Sequence, residues 1–174
     1  MSHTGMQPGA ALLSRIPEES VCSTLLAQIP PQVAAHSRAV QRLALEMCDA
    51  LAAHGVRLNR ALLSAAALLH DICRAEPNHA FAGGQKLRDL GYPEIADIVA
   101  VHHDWSGGPF DESALLYLAD KYMQGDQRVT LEERFERSRA KCHTEQALCA
   151  HDRRYRLALE AQQQYDLLIG EKQP

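Results

Sequence analysis

Six residues that can ligate metal ions follow a set order along this chain. His36 comes first, then the dipeptide His70-Asp71, and then His79, His102 and Asp120. Each of them falls where an apolar helical pattern ends or turns inward. Imidazole and carboxylate groups together suit a borderline-to-hard divalent ion such as iron, manganese or zinc. The residue types and their order therefore predict a hydrolytic metal centre rather than unrelated surface histidines.

The dipeptide His-Asp is weak evidence on its own, because this chain contains it three times. His70-Asp71 ends a long apolar helical pattern, where two polar side chains are costly to bury unless they have partners. His103-Asp104 stands beside a loop, and His151-Asp152 falls in a polar run that is typical of a solvated helix face. We therefore single out His70-Asp71 as the functional copy.

Each candidate ligand also has a plain structural interpretation. A lone histidine on an apolar stripe, such as His36, is often a hydrogen-bonded core residue. His79 follows a proline and an asparagine and could simply stand near a helix start, and Asp120 could pair with Lys121 at the surface. One shared metal site replaces these separate explanations with a single one.

Helices are the elements that must position these groups, because apolar residues recur at helical and not at alternating spacing. Asn59 is a favourable N-cap, and Gly55 is a favourable residue after a helix end. Thr130 and Glu133 have capping-box spacing, which predicts a long polar helix or helix pair to about residue 169. The earlier helices are expected over about 17–29, 31–54, 59–70, 78–90, 93–102 and 112–123. The fold class is therefore all-α, with additional C-terminal helices.

The bulk properties limit the classes of partner and compartment. A chain of 174 residues with a net charge of −4 lacks the excess of basic residues that is typical of proteins binding duplex nucleic acid. No apolar stretch is long enough to cross a membrane. Five cysteines without a Cys-x-x-Cys pair favour a reduced, cytoplasmic setting. We expect a flexible leader over 1–16, a catalytic domain over 17–130 and a helical extension over 131–174 packed on the same domain.

The order His … His-Asp … Asp resembles the pattern of the HD superfamily of metal-dependent phosphohydrolases. His36, His70-Asp71 and Asp120 fit this pattern, and the resemblance extends over about residues 30–130. It implies a helical bundle like that of the HD domain. The additional histidines His79 and His102 stand at the inserted positions of the two-metal branch.

Three further stretches resemble one bacterial subgroup of that branch, the enzymes that split diadenosine tetraphosphate symmetrically. They are residues 78–84, the pair His102-His103 before a Ser-Gly-Gly-Pro loop, and residues 118–122. The same stretches resemble HD modules attached to nucleotidyltransferase-like domains. The resemblance therefore implies a nucleotide as the substrate class.

The resemblance also implies a division of labour in which Asp71 bridges two ions. One ion would be completed by His36, His70 and Asp120, and the other by His79 and His102. His103 would be a further ligand or would support one. The cofactor would be two divalent ions, iron or manganese first, with zinc, magnesium, nickel and cobalt as alternatives. Two such ions lower the pKa of a shared water, so that a hydroxide can attack phosphorus.

Arg74 departs from the usual family pattern, in which many members have lysine three residues after the aspartate. Arginine stays charged and can bind phosphate in bidentate fashion, whereas it is a poor proton donor to a leaving group. We interpret Asp71 and Arg74 as catalytic, and Arg74, Lys86 and Lys121 as candidate phosphate-binding residues. Arg88 could also steer phosphates, and the two lysines and Arg88 have an alternative interpretation as solvent-exposed helix charges.

The leading hypothesis is a phosphohydrolase that cleaves a phosphoester or phosphoanhydride bond of a nucleotide or dinucleoside polyphosphate. A di-iron oxygenase with an HD fold uses a similar ligand set, and a nucleotide-sensing module without catalysis is a third possibility. The expected partner is a phosphorylated small molecule, and the long C-terminal helices favour a homodimer.

Overall fold

The computed structural model of the protein describes residues 15–170. Over this range the chain folds into eight α-helices, which are α1 (Glu19–Leu26), α2 (Pro31–Ala53), α3 (Arg60–Leu69), α4 (His79–Asp89), α5 (Pro93–Val101), α6 (Glu112–Lys121), α7 (Leu131–Arg139) and α8 (Glu145–Leu168). A short antiparallel hairpin of β1 (Met123–Gln124) and β2 (Gln127–Arg128) stands between α6 and α7. The predicted all-α class is confirmed. The predicted leader over 1–16 lies outside the described residues, except for its last two.

Local capping explains where several helices begin and end. The side chain of Asn59 accepts a hydrogen bond of 3.1 Å from the backbone of Leu62, which confirms the predicted N-cap of α3. Gly55 follows the end of α2 with a φ of +83°, a conformation that favours glycine. Thr130 and Glu133 form the predicted capping box, with both reciprocal hydrogen bonds present. These boundaries follow from local chemistry alone.

Helix α3 lies at the centre of the bundle. It packs against α1, α2, α5 and α6. Three of its buried positions are the consecutive alanines Ala65, Ala66 and Ala67, whose small side chains let the neighbouring helices approach closely. The chain leaves this buried helix at His70, so the following polar residues emerge inside the bundle.

Helices α4 and α5 pack tightly against each other, and a glycine permits the contact. A Cβ atom at Gly84 would lie 2.9 Å from the carbonyl oxygen of Ala96 and 2.8 Å from the Cβ of Ala100. The two helices follow each other in the chain and run antiparallel. This arrangement brings the first residue of α4, His79, beside the end of α5 at His102.

The end of α6 differs from the sequence expectation. The helix was expected to reach residue 123, but it stops at Lys121, and the hairpin follows. The two hairpin strands are joined by Gly125 and Asp126, and Gly125 has a φ of +60°. A glycine at the first position of a two-residue turn is typical of a β-hairpin. The strands are only two residues long, too short for an alternating pattern to show.

Helices α7 and α8 form the expected C-terminal pair, and α8 also packs against α6. The interpretation of His151-Asp152 as a solvated helix face is wrong for His151. Its side chain is buried, and its Nε2 atom lies 2.9 Å from the carbonyl oxygen of Phe135 and 2.9 Å from the Ser138 hydroxyl. The polar run is therefore exposed on one side only, because α7 covers the other. Among residues 15–170, none of the helices combines the length and the apolar character of a membrane-spanning segment.

Candidate metal centre

The six predicted ligands converge at one place, because five helices end or pass there. His36 lies in α2, and His70 is the residue on which α3 ends, with Asp71 directly after it. His79 starts α4, His102 caps the end of α5, and Asp120 is the penultimate residue of α6. Five of these residues line a cavity of about 310 Å³. The sixth, His70, is fully buried behind them.

Asp71 lies between two pairs of histidines. Its Oδ1 atom is 3.3 Å from Nε2 of His79 and 3.6 Å from Nε2 of His102. Its Oδ2 atom is 3.6 Å from Nε2 of His70 and 3.9 Å from Nε2 of His36. Each carboxylate oxygen therefore faces a different pair, which is the arrangement that a carboxylate bridging two cations requires.

Asp120 closes the first of these two groups. Its Oδ1 atom is 3.1 Å from Nε2 of His36 and 3.7 Å from Nε2 of His70. The ligand atoms of His36, His70 and Asp120 all lie within 4.8 Å of one another. The same holds for His79, His102 and His103, so the imidazole of His103 joins the second group.

Backbone carbonyl groups orient three of the histidines. The Nδ1 atoms of His36, His70 and His102 donate to the carbonyl oxygens of Gly125, Ala67 and Val99 at 2.7, 2.8 and 2.7 Å. With the proton on Nδ1, each ring points Nε2 towards the carboxylates. Such a fixed tautomer is the usual support for a histidine that ligates a metal.

Two buried polar atoms at the centre have no hydrogen-bond partner among the described residues. They are Nε2 of His70 and Oδ1 of Asp71. Leaving a buried acceptor unpaired costs about 1–3 kcal/mol, so such atoms call for an explanation. Both are metal-ligating atoms in a cluster of imidazole and carboxylate donors. The residues present therefore fit a divalent cation.

A family model for the HD domain matches residues 33–153 of the chain, a range that contains every predicted ligand. The chain belongs to the HD domain family. An uncharacterized protein from Methanocaldococcus jannaschii is 31% identical over 120 residues, which cover 67% of this chain and 69% of that protein. No solved structure matches the chain significantly. The archaeal relative carries no stated activity, so the resemblance to the diadenosine tetraphosphate hydrolases stays a prediction.

The histidines of this HD domain are electrostatically suited to binding cations. Burial lowers the pKa of His70 to about 4. Burial, together with the positive charges of Lys121 and Arg154, lowers the pKa of His103 to about 3. Both imidazoles are therefore neutral at neutral pH. A neutral imidazole has the free lone pair that a metal ligand needs.

The carboxylates of Asp71 and Asp120 are ionised although they are buried. Burial alone would raise their pKa values. The close imidazoles of His102 and His79 nevertheless hold the pKa of Asp71 well below its ordinary value. The charge of Lys121 and a hydrogen bond from His36 do the same for the pKa of Asp120. The HD centre thus holds two negative charges in a buried position.

Arg74 stands at the mouth of the HD cavity, as its place after Asp71 implies. Its Nη1 atom donates to Nε2 of His79 at 3.0 Å, and its Nε atom is 3.8 Å from Oδ2 of Asp71. Half of the side chain is exposed. The guanidinium is therefore beside the ligands and open to a molecule entering the cavity.

Lys121 is neither a surface residue nor part of the cavity lining at the metal centre. Its side chain is buried, and Nζ donates to Oδ2 of Asp120 at 2.6 Å and lies 4.6 Å from the centre of the Tyr117 ring. The interpretations of Lys121 as a solvent-exposed charge, and of Asp120 with Lys121 as a surface pair, are wrong. The ring and the carboxylate together make this burial possible. The geometry assigns Lys121 to holding Asp120 in place.

The two remaining predicted cations, Lys86 and Arg88, do not line the cavity at the candidate metal centre. Lys86 is half-buried and lines an adjoining cavity that Arg74 also borders. Arg88 is exposed and pairs with Asp97 at 2.5 Å, so its interpretation as a solvated helix charge is confirmed. Sequence reasoning missed two other cations, Arg134 and Lys141, that do line the metal cavity. No spacing pattern separates them from the other basic residues of that polar stretch.

Proposed function

We propose that this HD domain protein is a metal-dependent phosphohydrolase. It cleaves a phosphoester or phosphoanhydride bond of a nucleotide or dinucleoside polyphosphate. The main observation that supports this proposal is the position of Asp71, whose two oxygens each face a separate pair of histidines. Membership of a family of metal-dependent phosphohydrolases supports the reaction class.

The residues divide into two ligand groups under this proposal. His36, His70 and Asp120 would hold one divalent ion, and His79 and His102 would hold the other, with Asp71 available to both. His103 is close enough to His79 and His102 to serve as a further ligand of the second ion. Iron or manganese is the proposed metal, because the set mixes imidazole with carboxylate and has no thiolate.

This ligand set and the open cavity beside it support the proposed reaction. When bound, two divalent ions acidify a water and neutralise the charge on phosphate oxygens. Asp71 and Asp120 provide the carboxylate ligands, and Lys121 orients Asp120 by donating a hydrogen bond to its Oδ2 atom. Arg74 binds a non-bridging phosphate oxygen through its guanidinium, which is always charged. Because arginine does not release a proton at neutral pH, the leaving group takes its proton from water.

The experiment begins with hydrolysis of a chromogenic phosphate ester by the purified protein, loaded with Mn²⁺ or anaerobically with Fe²⁺. A panel of nucleotides and dinucleoside polyphosphates then identifies the preferred bond. We expect phosphate release that depends on the added metal and stops with a chelator. A protein with full metal content that cleaves nothing in the panel would contradict the proposal.

The same preparation separates the two other candidate functions. Oxygen consumption together with a mixed-valent iron signal would identify a di-iron oxygenase. Tight nucleotide binding without turnover would identify a sensing module. Neither alternative is favoured by a specific contact among the described residues, so hydrolysis is the function that the centre supports best.

A further inference from the structure

Two cations from the C-terminal part of the domain line the metal cavity. Arg134 lies in α7, and Lys141 follows the end of that helix. Neither belongs to the ligand set, and neither position is part of the HD pattern. Their presence at the cavity needs an explanation of its own.

Arg134 is distinctive because one nitrogen atom of its half-buried guanidinium lacks a hydrogen-bond acceptor in the described part of the chain. Its Nε atom is buried and has no hydrogen-bond acceptor among the described residues. An arginine never loses its charge in a protein, so the buried donor cannot be relieved by deprotonation. A buried charged donor without an acceptor is costly, and a bound anion is the simplest group to supply one.

Neighbouring arginines on α7 and α8 show the contrast. Arg137 donates to Gln124, Arg139 pairs with Asp152, and Arg154 forms two hydrogen bonds with Asp104. These side chains are held by acceptors within the protein. Arg134 has no such acceptor within residues 15–170, although it lies on the same polar helix pair.

The charges that line the cavity also favour a bound anion. Among the described residues, its lining contains only two carboxylates, Asp71 and Asp120, and both face histidines. Once these carboxylates hold divalent ions, the charges of Arg74, Arg134 and Lys141 are uncompensated. A ligand with several negative charges fits such a cavity better than one with a single phosphate.

We infer that Arg134 and Lys141 form a second phosphate subsite beside the metal centre. The preferred substrate then carries at least two phosphoryl groups, one at the metals and Arg74 and the other at this subsite. This inference rests on the proposed hydrolysis and narrows its substrate class. The second subsite would favour a nucleoside diphosphate, a nucleoside triphosphate or a dinucleoside polyphosphate over a nucleoside monophosphate.

The test compares two probes that cannot be hydrolysed. Methylenediphosphonate carries two phosphoryl groups joined by carbon, and methylphosphonate carries one. Calorimetric titration of the Mn²⁺-loaded protein gives the affinity of each, with metal content measured before and after. We expect Arg134→Gln to weaken diphosphonate binding roughly ten- to hundredfold, the loss of one or more charged hydrogen bonds. Monophosphonate binding should stay within about twofold.

Lys141→Gln provides a second variant at an exposed position, where folding is not at risk. It should weaken diphosphonate binding in the same selective way. Arg156→Gln on the exposed face of α8 removes the same charge away from the cavity and is the matched control. Thermal melting of each variant verifies that the fold is intact.

Two results would overturn the second subsite. One is equal weakening of both probes by Arg134→Gln and Lys141→Gln, and the other is no weakening of either. Because binding is measured without turnover, the outcome is independent of hydrolysis. If the protein binds the diphosphonate selectively but cleaves no phosphate bond, the result would support the second subsite and contradict the proposed hydrolysis.

Discussion

Asp71 is the side chain through which the two ligand groups meet. Its oxygens lie 3.3–3.6 Å from His79 and His102 on one side and 3.6–3.9 Å from His70 and His36 on the other. A residue that bridges two ions contributes to the affinity for both. Its loss should therefore affect the whole centre and not one half of it.

The variant Asp71→Asn tests this role while preserving side-chain shape. The neutral amide cannot supply two anionic oxygens, so we expect both ions to be lost. Affinity should fall by more than the ~10–100-fold typical of removing an outer partner of a ligand. Elemental analysis of purified protein, together with the phosphatase assay, measures the effect. Asp89→Asn, at an exposed position of α4, is the matched control; unchanged metal content in Asp71→Asn would contradict the bridging role.

Protonation of His36 should make the affinity for a metal ion depend on pH. Burial lowers its pKa, but the hydrogen bond to Asp120 and the carbonyl of Gly125 outweigh this effect and raise it above the ordinary value. Both ring nitrogens face oxygen atoms, so the ring favours two protons. A metal on Nε2 must displace one of these protons.

We therefore expect the affinity for Mn²⁺ to fall on acidification. Below the raised pKa of His36, the loss should be about tenfold per pH unit for one displaced proton. Above that pKa the proton is already absent, and this contribution should level off. Calorimetric titrations at pH 6 and pH 8, in buffers of different ionisation enthalpy, count the protons released. Binding at pH 6 without proton release would be inconsistent with His36 as a ligand.

Residue types and their order were enough to predict which side chains meet at the centre. Chain order alone did not reveal that Lys121 is buried, because its burial depends on the Tyr117 ring and on Asp120. His151 was misinterpreted for a similar reason, since α7 covers it with Phe135 and Ser138. Burial of a polar side chain depends on neighbours that are distant in sequence.

At the level of elements, the contact between α4 and α5 determines how far apart His79 and His102 lie. At Gly84 an added Cβ would meet the backbone carbonyl of Ala96 at 2.9 Å. A backbone atom cannot rotate away as a flexible side chain can. The helices would have to separate to accept any larger residue.

Gly84→Ala should therefore destabilise the protein by about 1–3 kcal/mol, although alanine favours a helix over glycine. For a domain of this size the melting temperature should fall by roughly 2–4 °C per kcal/mol. Metal affinity should fall as well, because His79 moves relative to His102. Gln85→Ala, at the exposed neighbouring position, is the control in the same helix. A Gly84→Ala protein that melts at or above the wild-type temperature would disprove the close packing.

Helix boundaries with local signals were predictable, whereas the hairpin was missed. Asn59 and the Thr130 capping box act within four residues, so sequence alone reveals them. The hairpin strands have two residues each, and only the turn of Gly125 and Asp126 marked them. The omission matters because the carbonyl of Gly125 orients His36.

Across the whole molecule, the proposed ions would connect α2, α3, α4, α5 and α6. Metal that binds the folded chain stabilises it by mass action. The family match over 33–153 extends into α8, so it passes the expected boundary at residue 130. That boundary, the cytoplasmic setting and the homodimer stay predictions.

Removing the metal should lower thermal stability. At a free metal concentration about a thousand times Kd, binding contributes about 4 kcal/mol. With about 2–4 °C per kcal/mol, chelation should lower the melting temperature by roughly 10 °C. Scanning calorimetry of metal-loaded and chelator-treated protein measures the difference, and readdition of Mn²⁺ should restore it. Identical melting curves would show that these helices do not share a bound cation.

Anomalous diffraction from crystals of the Mn²⁺-loaded protein locates bound ions directly. We predict two manganese peaks about 3.5–4 Å apart, the separation typical of two-metal sites. One should lie beside His36 and Asp120, the other beside His79 and His102, with Asp71 between them. Manganese-loaded crystals without a peak among these side chains, or with peaks only elsewhere, would contradict the two-metal centre.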